Sequence, residues 1–281
     1  MANLHIVTGF KGGTGKTTIA CVLLEFLLTF GIAFRFFETD RDNPDVKRRY
    51  EDTVDCDIGL FSEARRHQDA ANNIFTSAIE ILTIVNSPAQ LFAPFSQWFE
   101  ANDLFTLGAE EGVSYYFWFV CDGGFDSIDL LKKTFQFFTD KVHYIVVKNH
   151  GLCEDWKLFD SDTALQKQLK KYKAITLDFP LLMGRTLPHE INTLSLTFSQ
   201  AIAHPGFDKI NQQRVKTFLR KAFQAFDATG VFTHDEVLHE KIGQASCDPR
   251  GASSINQEVS KPAQFLGDKC DEQQLSTESG Q

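Results

Sequence analysis

The segment formed by residues 9–18 constrains the fold more than any other part of the chain. It reads Gly-Phe-Lys-Gly-Gly-Thr-Gly-Lys-Thr-Thr and lies between two apolar runs. The run at residues 4–7 predicts a strand, and the run at 19–28 predicts a buried helix. Strand, glycine-rich loop and helix N-terminus in this order form a phosphate-binding loop, because backbone N–H groups and the helix dipole then face one anion. In such a loop Lys16 reaches the β- and γ-phosphates, and the Thr17 hydroxyl binds Mg2+.

The loop departs from the usual pattern G-x-x-x-x-G-K-[ST], because Phe10 occupies the first glycine position and Lys11 follows it. This form resembles the deviant phosphate loop of the ParA/MinD family of ATPases. The resemblance implies ATP with Mg2+ as the ligand. It also implies a homodimer on ATP binding, in which Lys11 crosses to the phosphates held by the partner. The loop positions implied to bind the nucleotide are Gly12, Gly13, Thr14, Gly15, Lys16, Thr17 and Thr18.

Acidic residues follow the next predicted strand, at residues 33–37. This segment resembles the first switch of the family, in which a strand ends in acid-x-acid followed by proline. The match gives Asp40 the role of orienting the attacking water or acting through Mg2+, and pairs Glu38 with Lys11. The catalytic candidates are therefore Lys11, Lys16 and Asp40, and the metal candidates are Thr17 and Asp40. In an alternative interpretation these acids only cap the following helix, since residues 43–45 also form a good helix start.

Two positions compete for the second switch. A β-branched run at residues 79–85 predicts a strand that ends at Asn86, followed two residues later by Pro88. The family has an acid where this chain has Asn86, which orients a water through its amide oxygen but supplies no carboxylate. A second apolar strand, at 114–121, ends at Asp122, which is also typical of a Walker B acid. Counting strands back from Asn149 favours Asn86, with Asp122 as the alternative.

Two further positions are implied on the base side of the nucleotide. The strand predicted at 142–147 ends near Asn149, which resembles the asparagine that reads the adenine edge in the family. The last predicted strand, at 174–177, is closed by Pro180, in a loop that resembles the family's ribose- and base-side loop.

Strands alternate with helical segments through most of the chain, which predicts a doubly wound, mostly parallel α/β fold with helices on both faces. The predicted helices include 91–107 and 162–172, and two helices close the domain, the second at 208–228. We expect a phosphate-loop ATPase domain at 1–228. Residues 229–281 lack periodicity and are polar and acidic, which predicts a disordered tail.

Composition limits the partners. The net charge of −9 argues against broad charge-driven binding to nucleic acid, so DNA contact stays open without being indicated. The six cysteines form no C-x-x-C pair, which favours reduced thiols. Neither a signal peptide nor a membrane span is predicted, so we expect a cytoplasmic protein.

The function predicted from these residues is a slowly hydrolysing, partner-stimulated ATPase that acts as a dimerisation switch. The combination of motifs most resembles plasmid-borne conjugal-transfer or mobilisation members of the family, with an unidentified protein partner. Two alternatives remain. One is a nucleotide-sensing scaffold with little turnover, which Asn86 favours, and the other is a small-molecule kinase, against which Lys11 argues.

Overall fold

The computed structural model describes residues 3–62, 64–67 and 69–232. Seven parallel strands form one sheet in the order β3-β2-β4-β1-β5-β6-β7. Their bounds are β1 Asn3–Thr8, β2 Arg35–Glu38, β3 Cys56–Ile58, β4 Thr83–Asn86, β5 Ser114–Cys121, β6 His143–Asn149 and β7 Ile175–Phe179. The predicted doubly wound α/β fold is confirmed, and every strand pair is parallel.

Helices cover both faces of the sheet, which explains why the central strands are apolar on both sides. On one face lie α1 Lys16–Phe30, α2 Asp45–Tyr50, α9 Leu187–Thr193, α10 Phe198–Ala203 and α11 Lys209–Asp227. On the other lie α3 Asn72–Glu80, α4 Phe92–Ala101, α5 Leu104–Glu111, α6 Phe125–Phe138, α7 Lys157–Ser161 and α8 Thr163–Lys171. Residues of β1 divide between the two cores, with Val7 in one and Ile6 in the other.

The order of strands positions the site. Strand β1 lies between β4 and β5, so the phosphate loop that follows it is flanked by the carboxyl ends of both. Open parallel sheets bind ligands at the carboxyl ends of the strands, where the connections after neighbouring strands run to opposite sides. Glu38, Asn86, Asp122 and Asn149 follow or end strands at the same edge. The fold therefore gathers the predicted site residues of five separate segments.

Three predicted elements differ in the structure. The predicted strand at 79–85 begins only at Thr83, because Ile79 and Glu80 form the last turn of α3, whose buried side faces the sheet. The single helix predicted at 91–107 is two helices, α4 and α5, because Asp103 between them has a φ of 45°. Three helices rather than two follow β7, since α9 and α10 both precede α11.

The edge strand β3 was not predicted, because it has three residues and two of them are exposed. The described chain continues past α11 to Phe232, which is buried and stacks on Trp118. The predicted tail at 229–281 falls, from residue 233 onward, outside the described residues.

His5 is a fully buried histidine on β1 that links stability to pH. Its Nδ1 accepts a hydrogen bond from Trp118 Nε1 at 3.1 Å, and its ring stacks on Tyr116 with centroids 4.5 Å apart. Burial, helped by the nearby charge of His143, lowers the pKa of His5 to about 3. Below about pH 6.5, His5 therefore binds a proton in the unfolded chain but not in the folded chain. The free energy of unfolding falls as the pH falls.

We expect the free energy of unfolding of the wild type to fall by about 2 kcal/mol between pH 7 and pH 5, relative to the variant His5→Phe. Urea denaturation at pH 7, 6 and 5 measures this difference. Burial raises the pKa of Glu25 and Glu38, which acts in the opposite direction but is common to both proteins. Parallel pH profiles for the two proteins would show that His5 does not titrate as described.

Candidate functional site: the phosphate loop and its flanking strands

The phosphate loop presents an open helix N-terminus. Gly15 precedes α1 with a φ of 93°, and no side chain caps the first N–H groups of this helix. Gly13 also has a positive φ, of 76°, and it is exposed together with Gly12. Uncapped N–H groups at the start of a long buried helix are an anion-binding arrangement. The local geometry therefore fits a bound phosphate.

Lys16, the first residue of α1, turns back onto the loop. Its Nζ donates a hydrogen bond to the Lys11 carbonyl oxygen at 2.7 Å, and the side chain is largely buried. Burial lowers the pKa of Lys16 to about 8, and the charge of Asp40 opposes this shift. A buried ammonium with one carbonyl partner is poorly compensated, so an anion in the loop would stabilise it.

Phe10 shows why the first glycine of the usual pattern is replaceable here. Its φ is 51°, so this position keeps the left-handed conformation that normally favours glycine. The ring is buried and meets the edge of Phe92 with centroids 5.2 Å apart. Its carbonyl also accepts a hydrogen bond from the Gln90 N–H at 2.9 Å. Packing thus holds a conformation that costs a bulky residue about 1–3 kcal/mol.

Lys11 pairs with the loop after β5, and the predicted ion pair between Lys11 and Glu38 is wrong. Lys11 Nζ lies 2.8 Å from Asp122 Oδ2 and 3.8 Å from Asp126 Oδ2. The other oxygen of Asp122 accepts hydrogen bonds from Ser127 Oγ and Gly124 N. The Asp122 hydrogen bond raises the pKa of Lys11. Burial alone would raise the pKa of Asp122, but hydrogen bonds from Lys11, Ser127 and Gly124 outweigh it and lower the pKa.

Glu38 instead pairs with Asn86 across neighbouring strands. Its Oε1 accepts hydrogen bonds from Asn86 Nδ2 at 3.0 Å and from Asp40 N at 3.1 Å. Strands β2 and β4 lie side by side, whereas Lys11 is held by Asp122 after β5. Glu38 and Asn86 therefore meet away from the lysine. Burial raises the pKa of Glu38 to about 7. Two buried oxygens, Glu38 Oε2 and Asn86 Oδ1, have no hydrogen-bond partner.

The two oxygens without hydrogen-bond partners, Glu38 Oε2 and Asn86 Oδ1, indicate whether the site fits Mg2+. The ion prefers carboxylate and amide oxygens and usually keeps several waters, which would donate to such acceptors. Thr17 lies on the first turn of α1, and Asp40 lies within electrostatic range of Lys16. The donor set therefore fits a hydrated Mg2+. Among the described residues no three His, Cys, Asp or Glu side chains form a preassembled metal cluster.

Asn149 contacts the phosphate loop directly. Its Nδ2 donates to the Thr14 carbonyl oxygen at 2.9 Å, and its Oδ1 accepts from Gly151 N at 3.0 Å. A Cβ on Gly15 would approach Asn149 Nδ2 to 2.4 Å, so Asn149 packs tightly against the start of α1. Pro180 directly follows β7, whose last residue, Phe179, is the register partner of Asn149. Pro180 therefore lies beside Asn149. The predicted base-side residues are thus neighbours.

The remaining predicted residues divide by exposure. Thr14 is buried, and its hydroxyl is without a hydrogen-bond partner, whereas Thr18 is exposed. Pro88 belongs to a loop tied to the phosphate loop, since Gln90 N donates to the Phe10 carbonyl oxygen at 2.9 Å. Sequence reasoning missed Asp126 and Ser127, and the available signal was the glycine pair and acid that follow Asp122.

Gly9 joins the loop to the sheet at a point with no room for a side chain. A Cβ there would lie 2.7 Å from the backbone oxygen of Val120 on β5. We expect Gly9→Ala to lower the free energy of unfolding by about 1–3 kcal/mol, because β1 and β5 must separate. Gly12→Ala is the matched control, since its Cβ would meet only Ala89 Cβ at 3.8 Å. Urea denaturation compares the two, and equal midpoints would contradict this account of Gly9.

The parallel sheet and the uncapped helix start after β1 together define a phosphate-loop α/β protein. Among the described residues, no helix is both long and apolar enough to cross a membrane.

Comparison with known proteins finds two similar curated sequences. The chain is 23% identical to Protein TraL of Escherichia coli over 249 residues, covering 82% of this chain and all of TraL. It is 23% identical to Protein MobD of Acidithiobacillus ferrooxidans over 184 residues, covering 65% of this chain and 79% of MobD. No protein-family profile matches the chain.

Similar solved structures include the MinD cell division protein of Aquifex aeolicus, with a TM-score of 0.49 and 13% identity, covering 83% of this chain and 99% of MinD. A nucleotide-binding protein in complex with ADP from Archaeoglobus fulgidus has a TM-score of 0.43 and 11% identity, covering 69% of this chain and 86% of that protein. The chain is thus similar in sequence to TraL and MobD.

Proposed function

We propose that this protein is an Mg-ATP-binding, slowly hydrolysing dimerisation switch for plasmid partition, mobilisation or conjugal transfer. One observation carries the proposal. A buried Lys16 and an uncapped helix start share one loop with a second lysine, Lys11, whose ammonium is held by Asp122 at the loop's rim. A single phosphate site needs one such lysine, so the second is available for another molecule's phosphates.

Each residue then has a physical role. Lys16 and the first N–H groups of α1 would hold the β- and γ-phosphates, and Thr17 and Asp40 would hold Mg2+. When bound, Mg2+ neutralises charge that develops on the phosphates. Asp40 would orient the attacking water. Lys11, released from Asp122, would stabilise transition-state charge on the partner's phosphates.

The contact with Lys11 supports Asp122 as the alternative to Asn86 for the second switch. A carboxylate paired with this lysine would change its partner when the lysine crosses to the other protomer, which is the property that a switch needs. Asn86 instead supports the orientation of Glu38. Counting strands back from Asn149 still favours Asn86, so the two positions stay alternatives.

Slow turnover is part of the proposal. Glu38, the first acid of the predicted switch, is buried, and its contacts are to Asn86 and Asp40 N rather than to a lysine. A raised pKa makes it a poor anion near neutral pH. The alternative of a nucleotide-sensing scaffold predicts tight ATP binding with turnover no faster than that of Lys16→Ala. Phosphate release stimulated by a protein partner or by DNA would reject the scaffold.

The likeness to TraL and MobD supports a role in plasmid transfer or mobilisation. A protein partner is proposed, and direct DNA binding is not, because the net charge is −9. A small-molecule kinase is disfavoured by Lys11, since a kinase needs no second lysine at the loop. An ADP burst that depends on an added acceptor would favour the kinase.

Calorimetric titration of the purified chain with ATP, with and without Mg2+, tests nucleotide binding. We expect saturable binding of one ATP per chain, tighter with Mg2+ because the ion offsets the phosphate charge. Absence of ATP binding in both conditions would overturn the proposed function.

A further inference from the structure

A cleft lies at the edge of the sheet opposite the phosphate loop. Its walls are α5 and the turn that joins α6 to β6, and its volume is about 700 Å³. Ser114 and His143, the first residues of β5 and β6, belong to its lining, so it lies at the amino ends of these strands. The phosphate loop follows the carboxyl end of β1, which is parallel to β5. The cleft is therefore separate from the nucleotide site.

The floor of the cleft is aromatic and firmly held. The Tyr115 ring is buried, and its hydroxyl donates a hydrogen bond to the Leu104 carbonyl oxygen at the start of α5. Gly108 faces the same ring, and a Cβ there would overlap the Tyr115 hydroxyl. Phe105 is partly buried and makes edge-on contacts with the rings of Tyr115 and Phe138. Helix α5 is thus fixed to β5, so the cleft needs no rearrangement to receive a ligand.

A cation already lies on the aromatic face. Lys141 Nζ is 4.5 Å from the centroid of the Phe105 ring, which is the geometry of a cation–π contact. Lys141 forms no ion pair in the part of the chain that the structure describes. The ammonium therefore contacts the ring without an anionic partner, and this face of Phe105 suits a cation.

The rim of the cleft is acidic. Asp103, Glu110 and Asp140 line it and are exposed, and none of the three is paired with a basic side chain anywhere in the described segments. The basic side chains of the lining are Lys141 and His143. The lining therefore keeps a net negative charge whether or not His143 is protonated, and it attracts cations.

We propose that this cleft binds an arginine side chain presented by an extended segment of a partner protein. The guanidinium is planar, so it stacks on an aromatic ring while its N–H groups donate to carboxylates. Phe105 supplies the ring, and Asp103 and Glu110 supply the carboxylates. An open rim favours a side chain of another protein over a small molecule, because small ligands are normally largely enclosed.

The inference gives the unidentified protein partner of the proposed function a place to bind, and it rests on that proposal only for the partner's role. The cleft and the phosphate loop lie at opposite edges of the sheet, so arginine binding requires no nucleotide. Failure of the arginine site therefore leaves the proposed ATP switch standing, and failure of the switch leaves the arginine site standing.

Fluorescence anisotropy of a labelled Gly-Arg-Gly-Arg-Gly peptide, titrated with the full chain without nucleotide, tests the inference. We expect saturable binding of this peptide and no binding of the same peptide with glutamate in place of arginine. Lys141→Gln should tighten binding about three- to fivefold, because it frees the ring face and removes a like charge. Asp103→Asn should weaken binding about three- to fivefold through loss of one exposed ion pair. Asparagine also tolerates the φ of 45° at this position.

Two variants make the same changes of charge outside the cleft. Lys167→Gln, on α8, and Asp52→Asn, after α2, replace exposed side chains. Both should leave the dissociation constant of the arginine peptide within about twofold of the wild type, because salt screens distant charges. An unchanged urea midpoint shows that each variant is folded.

The sign of the Lys141→Gln effect separates ligands of opposite charge. Weaker binding of the arginine peptide by this variant, or binding of the glutamate peptide by the wild type, would overturn the inference, because the lysine would then hold an anion. Equal effects of Lys141→Gln and Lys167→Gln would overturn it too, since net charge alone would explain them. Absence of saturable binding of the arginine peptide by the wild type would show that the cleft takes no arginine.

Discussion

Replacing Lys16 by alanine should weaken ATP binding by up to about 100-fold. The ammonium is buried at the start of α1, with the Lys11 carbonyl oxygen as its partner at 2.7 Å. A bound phosphate would give it a charge-assisted hydrogen bond, and losing such a bond costs up to about 3 kcal/mol. Each 1.4 kcal/mol is a factor of ten in affinity. Calorimetric titration with Mg-ATP measures the change.

The control for Lys16→Ala is Lys16→Arg, which keeps the charge but brings a wider guanidinium into a tight loop. We expect it to bind more weakly than the wild type and to keep its fold, as shown by an unchanged urea midpoint. If Lys16→Ala binds Mg-ATP as the wild type does, then the loop after β1 is not the nucleotide site.

Replacing Lys11 by alanine should leave ATP binding nearly intact and lower turnover by about 10²–10³-fold. Lys11 pairs with Asp122 at 2.8 Å, so within its own chain it does not point to the anion site. Removal of one donor that acts only on transition-state charge has an effect of this size. Phosphate release at saturating ATP measures it, and the ATP-dependent dimer should be lost as well.

Asp126→Asn is the comparison for Lys11→Ala. It removes the longer of the two contacts to Lys11 and leaves the 2.8 Å pair with Asp122 in place. We expect binding of ATP by this variant to equal that of the wild type. Turnover by Lys11→Ala at the wild-type rate would show that this lysine has no part in catalysis.

Much of the fold could be predicted because the strands carry strong local signals. Residues 114–121 form an unbroken apolar run, and the structure places β5 at those residues. The break between α4 and α5 was not predictable, because the apolar period continues across it and only the φ of Asp103 interrupts the helix. Strand β3 was not predicted for the opposite reason, because an exposed three-residue edge strand has no apolar pattern.

The candidate site was predictable where one segment contains the whole motif, as in the phosphate loop. The partner of Lys11 was not, because β4 and β5 both flank β1, and the predicted partner, Glu38, and the observed one, Asp122, follow different strands at the same edge of the sheet. Only the three-dimensional arrangement shows these pairs, through the 2.8 Å contact of Lys11 to Asp122 and the Asn86 bond to Glu38. Side-chain pairs across strands depend on contacts that no single segment encodes.

The mass of the wild-type protein in solution, measured by light scattering with Mg-ADP and with a non-hydrolysable ATP analogue and Mg2+, tests the central claim most directly. The proposed switch predicts a monomer of about 31.7 kDa with ADP and twice that mass with the ATP analogue. It also predicts that Lys11→Ala remains a monomer in both. The same mass in both nucleotide states would contradict a dimerisation switch driven by ATP.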